Sequence, residues 1–521
     1  MTQRTTAVIA RHVARFLSRR TRWGSLVFPL VMLSASVSGG CFFGGGPDPR
    51  PSPEARASSV LDAPVMTVAV DGDVSDWPTT AAAVADQHYL YLRFKADRLV
   101  TLQSDTETVQ LQLDVDADTG TGQPDPAGGL GVDLAVTFSP PNDEGEPGFG
   151  TRVEAFAESG EVVELPAAAL DILMAPTHAS EWFEVRVGRH LIRSLAGEAS
   201  LPRDGLLSDG SVMGRVAVFG SGGRLLASAE PFEVDLAPAS VGPKRVSASV
   251  PGKSLGSMRL LAYNVENSSP VENPGPFSRI LRATDPDIVC VQEWYDQTPE
   301  SLEAWFNREL PIAGRWRAFT SEGRGVAVVT RFESAGFGPD AVTVTPEGQD
   351  RTVRAASAFV DTPAGPVVIS SVHLKCCGSV GGREDMLRSA EARGIAEMIG
   401  AEFDESGAMA AVIAGDYNLV GGTGPLAEIG QGIDADGSDL AVVEARGLGE
   451  PTMYTWTKTR SSFLPGRLDY VSYSDSLLTV ERSFVFDPGR FDSPSLVALN
   501  LREDDAEASD HRPVVVDFRP R

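Results

Sequence analysis

The chain has 521 residues, 42% hydrophobic and 22% charged, which places it among globular proteins and makes it too long for one ordinary core. Its formal charge is −26, and because the first forty residues hold six Arg and no acid, the rest carries −32. Such a field repels nucleic acid and anionic lipid headgroups unless metal ions or a local basic patch intervene. This counts against a tight nucleic-acid binder without excluding an enzyme that cleaves one.

Arg4, Arg11, Arg15, Arg19, Arg20 and Arg22 form a basic start, and Leu26 to Leu33 is an apolar run too short to span a bilayer. Ser34 to Gly40 is a small-residue stretch before Cys41, so residues 1–40 read as a signal peptide. Ser38-Gly39-Gly40-Cys41 resembles a bacterial lipobox, with Ser38 where that motif usually has Leu. It implies an exported protein of the cell envelope, attached to the membrane through a lipidated Cys41; plain cleavage would leave the chain secreted. Residues 41–62, rich in Gly, Pro, Ser and Arg, read as a flexible tether. The other cysteines are Cys290, Cys376 and Cys377, too few for a disulfide framework. Cys290 reads as a small buried hydrophobe, and the adjacent Cys376 and Cys377 as either a vicinal disulfide or free thiols.

Over 63–240 the texture is alternating. Val65 to Val70, Tyr89 to Phe94, Val109 to Val115, Leu134 to Phe138, Phe183 to Val187, Gly214 to Phe219 and Phe232 to Leu236 predict short strands of an antiparallel β-sandwich. Val70-Asp-Gly-Asp-Val-Ser-Asp-Trp-Pro78, Asp86 before Tyr89-Leu-Tyr91, and Asp114-Val-Asp-Ala-Asp-Thr-Gly120 resemble family-9-type carbohydrate-binding modules and the related cytochrome-binding sandwich domains. The resemblance implies a possible glycan partner; the alternative is that Trp77 and Tyr89 simply fill the core. Asp114, Asp116 and Asp118 fall on one face at a strand end, where three acids repel one another unless a cation or solvent separates them. They predict a Ca²⁺ site, with a solvated acidic turn as the alternative; the order is not that of an EF-hand.

Residues 241–256 lose all periodicity and read as a linker. From 257 to 521 the pattern mixes helical periodicity (Phe277, Ile280 and Leu281; Leu302, Trp305, Phe306 and Leu310; Met386 to Ile399) with strands at 259–263, 288–291, 325–330, 355–360, 367–372, 411–414, 469–473 and 513–518. The fold class is therefore α/β (α+β). Polar residues stand where those strands stop: Asn264, Glu293, His373, Asp416 with Asn418, and Asp510-His511 before the last strand. The two His after residue 257 are both in this set. Catalytic groups in open α/β sheets sit at such strand ends.

Leu261-Ala-Tyr-Asn-Val265, Asp287-Ile-Val-Cys-Val-Gln-Glu293, Ser371-Val-His-Leu374, Ala414-Gly-Asp-Tyr-Asn418, Arg467-Leu-Asp-Tyr-Val471 and Ser509-Asp-His-Arg-Pro-Val514 resemble, in order, the motifs of the endonuclease/exonuclease/phosphatase superfamily. The resemblance implies a four-layer α/β sandwich with two packed mixed β-sheets, and a phosphoric ester hydrolase that uses Mg²⁺ or Mn²⁺. It implies Glu293 as metal ligand, with Asn264 and Asp510 completing or supporting that shell. Asp416 would prepare the attacking water, Asn418 would hold a phosphate oxygen, His511 would contact the phosphate with Asp469 fixing its tautomer, and His373 would protonate the leaving group. The expected substrate is a phosphodiester, in nucleic acid or in a phospholipid headgroup as for a sphingomyelinase or phospholipase C; an inositol phosphate is a further alternative. The competing class is a non-catalytic glycan-binding surface protein, against which the intact Glu293, Asp416, Asn418 and His511 speak. No protein partner is expected. Trp456, on a loop before the Arg467 motif, stacks on substrate or packs.

Overall fold

The computed structural model describes residues 68–521 apart from 79–80, 157–160, 197–206, 340 and 409. The signal peptide, Cys41 and the tether fall outside the described residues, as does the start of the strand expected from Val65, of which Val70 remains as a single bridge to Thr452.

Strand Tyr89–Val100 shows how the first part is built. Its side chains alternate: Leu90 and Leu92 join Phe183, Val185, Leu111, Leu113, Val136 and Phe138 in one core, whereas Tyr89 and Tyr91 join Trp77, Val68, Val70 and Leu173 in a second cluster on the opposite face. The first core lies between a four-stranded and a seven-stranded antiparallel sheet, giving the expected sandwich. Weakly patterned strands such as Ala83–Ala85, Leu173–Ala175 and Arg224–Ser228 complete the sheets. Trp77 and Tyr89 are 4% and 2% exposed, so they fill the interior rather than offer a stacking platform.

The second part has four layers. A seven-stranded and a six-stranded mixed sheet face each other, and Leu260, Ala262, Cys290, Val328, Val367, Ile369, Val412, Ala414 and Val516 fill the space between them. The reverse faces are also covered. Leu261, Tyr263 and Val289 pack on helices Pro274–Thr284 and Pro299–Glu309, and Val368, Ala411 and Ile413 on helix Arg383–Ser406. Double-sided burial explains why these strands read as continuous apolar runs instead of alternating. No helix among the described residues is long and apolar enough to cross a membrane.

The described residues form one compact unit. The outer face of the sandwich packs on the second part through a buried ionic knot. Arg186 meets Glu450 at 2.6 Å, and Arg490 meets Glu450 and Asp171, each at 2.9 Å. Arg490 also donates to the Tyr89 hydroxyl at 2.6 Å. The segment 451–467 is held by sandwich groups along its length. Val70 N donates to Pro451 O (3.1 Å), Leu464 N to Gln103 Oε1 (2.8 Å), Thr151 N to Ser462 O (2.7 Å) and Arg467 N to Thr177 Oγ1 (2.7 Å). Leu464 is itself part of the sandwich core. The 241–256 stretch lies along the second part, where Val246 exchanges backbone hydrogen bonds with Arg490 and Asp492.

Candidate active site

The candidate residues meet because the two sheets end at one place. Strands Gly365–His373 and Ala410–Asp416 run parallel with His373 opposite Asp416, and Asp469 opens the antiparallel neighbour opposite Asp416. In the facing sheet, Met258–Asn264 and Ile288–Gln292 run parallel with Asn264 opposite Gln292, which puts Glu293 one residue beyond. The contact between the sheets is close at Gly415, whose φ is +144°; a Cβ there would lie 2.1 Å from Val372 O and 2.8 Å from Gln292 Nε2. Gly415→Ala is therefore expected to cost about 2 kcal/mol or more, read as a lowered urea midpoint with the slope unchanged.

Asp416 Oδ2 is the hub. It accepts from Asn264 Nδ2 at 3.1 Å and lies 3.5 Å from His373 Nε2 and 3.7 Å from His511 Nε2. Asn264 Nδ2 also donates to Glu293 Oε1 at 3.1 Å, while its Oδ1 accepts from Glu266 N. Asn264 thus ties the two carboxylates together. Glu293 (φ 61°) and Asn418 (φ 50°) both adopt left-handed backbone, a conformation that costs a non-glycine residue of order 1 kcal/mol or more and gathers at functional sites. Asn418 Nδ2 donates to Leu374 O at 3.1 Å, so one of its amide protons braces the loop after His373.

His511 and Asp469 form a pair, Nδ1 to Oδ2, at 2.8 Å. Burial disfavours the imidazolium, but the carboxylates of Asp469 and Asp416 outweigh it and raise His511 to about 9. Its contribution to stability is full below the ordinary value near 6.5 and fades as the pH rises through about 9. Asp416 is pushed up to about 7, first by burial and also by Asp469, against the pull of His511 and of the Asn264 amide. His373 goes the other way: burial, then Arg354, His511 and Lys375, hold it well below the ordinary imidazole range. A neutral imidazole can serve as a ligand or proton acceptor. Asp469→Asn is expected to move the alkaline fall of a pH–kcat profile to lower pH, since the His511 cation loses its nearest anion.

Glu293, His373 and Asp416 each place a ligand atom within 4.8 Å of the others, a donor set of two carboxylates and one neutral imidazole that fits a divalent cation. Asp510 stands apart from this trio. Its Oδ2 accepts from Trp456 Nε1 at 3.2 Å and lies 3.5 Å from Lys458 Nζ. The sequence reading missed Glu266, which receives Asp510 N at 3.1 Å and Lys458 Nζ at 2.9 Å; an acid two residues beyond Asn264 was the available signal. Segment 451–467 reaches the site through a bridge between Trp456 and His511, with Thr457 N donating to Asp510 O at 2.8 Å. Cys376 and Cys377 on the neighbouring rim are free thiols, and Cys290 is buried.

Residues 261–511 match the model of the Endonuclease/Exonuclease/phosphatase family. That segment holds every expected site residue of the second part, from Asn264 to His511. No curated protein matches the chain. Among solved structures, the human nocturnin catalytic domain with a bound sulfate anion is similar over 52% of this chain and 97% of its own, at 18% identity and a TM-score of 0.32. Sphingomyelinase C from Streptomyces griseocarneus is similar over 50% and 99%, at 16% identity and a TM-score of 0.33. The 3′ phosphatase NExo from Neisseria, bound to a product DNA hairpin, gives the same coverage, identity and score.

Proposed function

We propose that the chain is a divalent-metal-dependent phosphoesterase that hydrolyses a phosphodiester, exported to the cell envelope as its leader suggests. The observation that carries this reading is the convergence on Asp416 Oδ2 of Asn264, His373 and His511 within 3.1 to 3.7 Å, at the ends of two facing sheets in a segment matching the family. Glu293, Asp416 and His373 would hold Mg²⁺ or Mn²⁺, with Asn264 positioning the two carboxylates. When bound, such an ion polarises phosphoryl oxygens and stabilises the charge that builds on them. Asp416, whose Oδ2 faces both His373 and His511, is the carboxylate placed to take a proton from water. The water oxygen bonds to phosphorus as Asp416 accepts its proton, the ester P–O bond on the opposite side breaks, and the leaving oxygen takes a proton from solvent. His511, paired with Asp469, stands beside Asp416 and would offer its charge to the phosphate. The aromatic residues on which glycan binding would have rested, Trp77 and Tyr89, are buried, which favours the hydrolase over a glycan-binding surface protein.

The test is hydrolysis of DNA, RNA, sphingomyelin and inositol phosphates by the purified chain with Mg²⁺ or Mn²⁺ and with EDTA. Activity on one phosphodiester, abolished by EDTA, is the expected result. Equal rates for the wild type and an Asp416→Ala, His511→Ala variant on every substrate would refute the reading.

A further inference from the structure

A second acidic cluster is built into the sandwich, far along the chain from the residues above and independent of the phosphoesterase reading. Strand Thr108–Asp114 ends on Asp114, which is fully buried. Asp116 follows in the next loop, and Asp133, also buried, lies between strands Gly131–Val132 and Leu134–Phe138. Asp114, Asp116 and Asp133 each place an oxygen within 4.8 Å of the others. The loop is pressed on this point: a Cβ at Gly122 (φ +65°) would lie 2.9 Å from Asp133 Oδ1, and one at Gly131 would lie 2.7 Å from Asp118 O.

The hydrogen bonds leave one oxygen over. Asp114 Oδ2 accepts from Gly131 N at 3.0 Å and Asp133 Oδ2 from Val115 N at 2.9 Å. Asp116 accepts from Asp118 N at 3.0 Å and from Thr121 Oγ1 at 3.1 Å. Asp114 Oδ1 is buried with no hydrogen-bond donor on it, and the charged neighbour of this carboxylate is Asp116, itself an acid. A buried carboxylate oxygen without a donor, beside a second carboxylate, is strongly disfavoured unless a positive charge sits between them. The nearby Arg215 pairs instead with Asp125 at 3.2 Å and with Gly128 O. Asp118, which the sequence pattern had grouped with Asp114 and Asp116, turns away: its Oδ1 accepts from Gly120 N at 2.9 Å in an exposed turn.

We propose that Asp114, Asp116 and Asp133 bind a divalent cation, and that Ca²⁺ is preferred because every side-chain donor is a carboxylate oxygen. The ion closes the Asp116–Gly122 loop onto Gly131–Asp133. Its competitor is a proton, since burial, and then Asp116, raises the Asp114 carboxyl above its ordinary range.

The test uses the full chain carrying Glu293→Gln, which disables the trio in the active site, stripped with EDTA and titrated calorimetrically with CaCl₂. One Ca²⁺ per chain is expected, with Tm rising by about 5 °C at saturating ion. Asp116→Ala is expected to weaken binding at least ~tenfold, and Asp114→Asn to do the same, whereas Asp118→Asn leaves it unchanged. Asp116 is partly exposed, so this variant stays informative if Asp114→Asn fails to fold; far-UV circular dichroism checks each. No Ca²⁺ uptake up to millimolar concentration, or folded Asp116→Ala binding as tightly as its parent, would overturn the proposal, and the first result would assign the pocket to a proton.

Discussion

Asp416→Asn is expected to lower kcat/KM for the hydrolysed phosphodiester by about 10³-fold or more, with a circular dichroism spectrum like that of the wild type. The substitution keeps the shape and the hydrogen bond from the Asn418 backbone while removing the charge and the basic oxygen at the hub. Oδ2 faces Asn264, His373 and His511 at once, so its loss removes the proton acceptor and one anion that keeps His511 charged. Steady-state kinetics at saturating Mg²⁺ and Mn²⁺ separate lost chemistry from weakened metal affinity. Recovery of the wild-type rate at high metal would reduce Asp416 to a ligand and remove the role given to it in preparing water.

Glu450→Ala is expected to destabilise the chain by about 3 kcal/mol, because it removes the more deeply buried of the two anions that Arg186 and Arg490 share and leaves Asp171 alone against both guanidinium groups. Both Arg186 and Glu450 have side chains only 3% exposed, so water cannot replace the lost partner cheaply. Glu503→Ala is the control. Its pair with Arg245 lies at the surface, the Glu503 side chain 63% exposed, and its removal should change stability by less than about 0.5 kcal/mol. Urea unfolding of both variants checks the contrast, and equal small changes would show that the knot is no more valuable than a surface pair.

Much of this architecture is legible in the residues. Strands Leu134–Phe138, Phe232–Leu236 and Asp469–Tyr473 match their sequence-based bounds because each is a self-contained apolar or alternating run between turn formers. Ser334–Gly336 and Arg224–Ser228 were illegible: both are short, and their pairing partners rather than their own composition hold them extended. In the active site, Asn264, Glu293, His373, Asp416 and His511 could be read from where the strands stop, and Asp469 from the resemblance of its motif. The protonation state of His373 could not, because it depends on burial together with Arg354, His511 and Lys375, residues scattered in sequence. The contacts of Asp510 have the same origin, its partners Trp456 and Lys458 lying some fifty positions away. Asp133 was missed for a related reason: strand pairing brings it to Asp114 from a later turn, whereas Asp118, the nearer neighbour in sequence, points outward.

Segment 451–467 gives the sandwich a stake in the chemistry. One edge of the segment is fastened to Val70, Gln103, Thr151 and Thr177, and the other to the peptides of Asp510 and His511. The loop beside the candidate site is therefore shared property, set by two regions that are separate in sequence. Substitutions at Gln103 or Thr177 would be felt in the placement of Trp456 although neither residue belongs to the Glu293, His373 and Asp416 trio, and a graft of the second part onto a different partner domain would carry its acids and histidines intact while losing the contacts that hold the neighbouring loop.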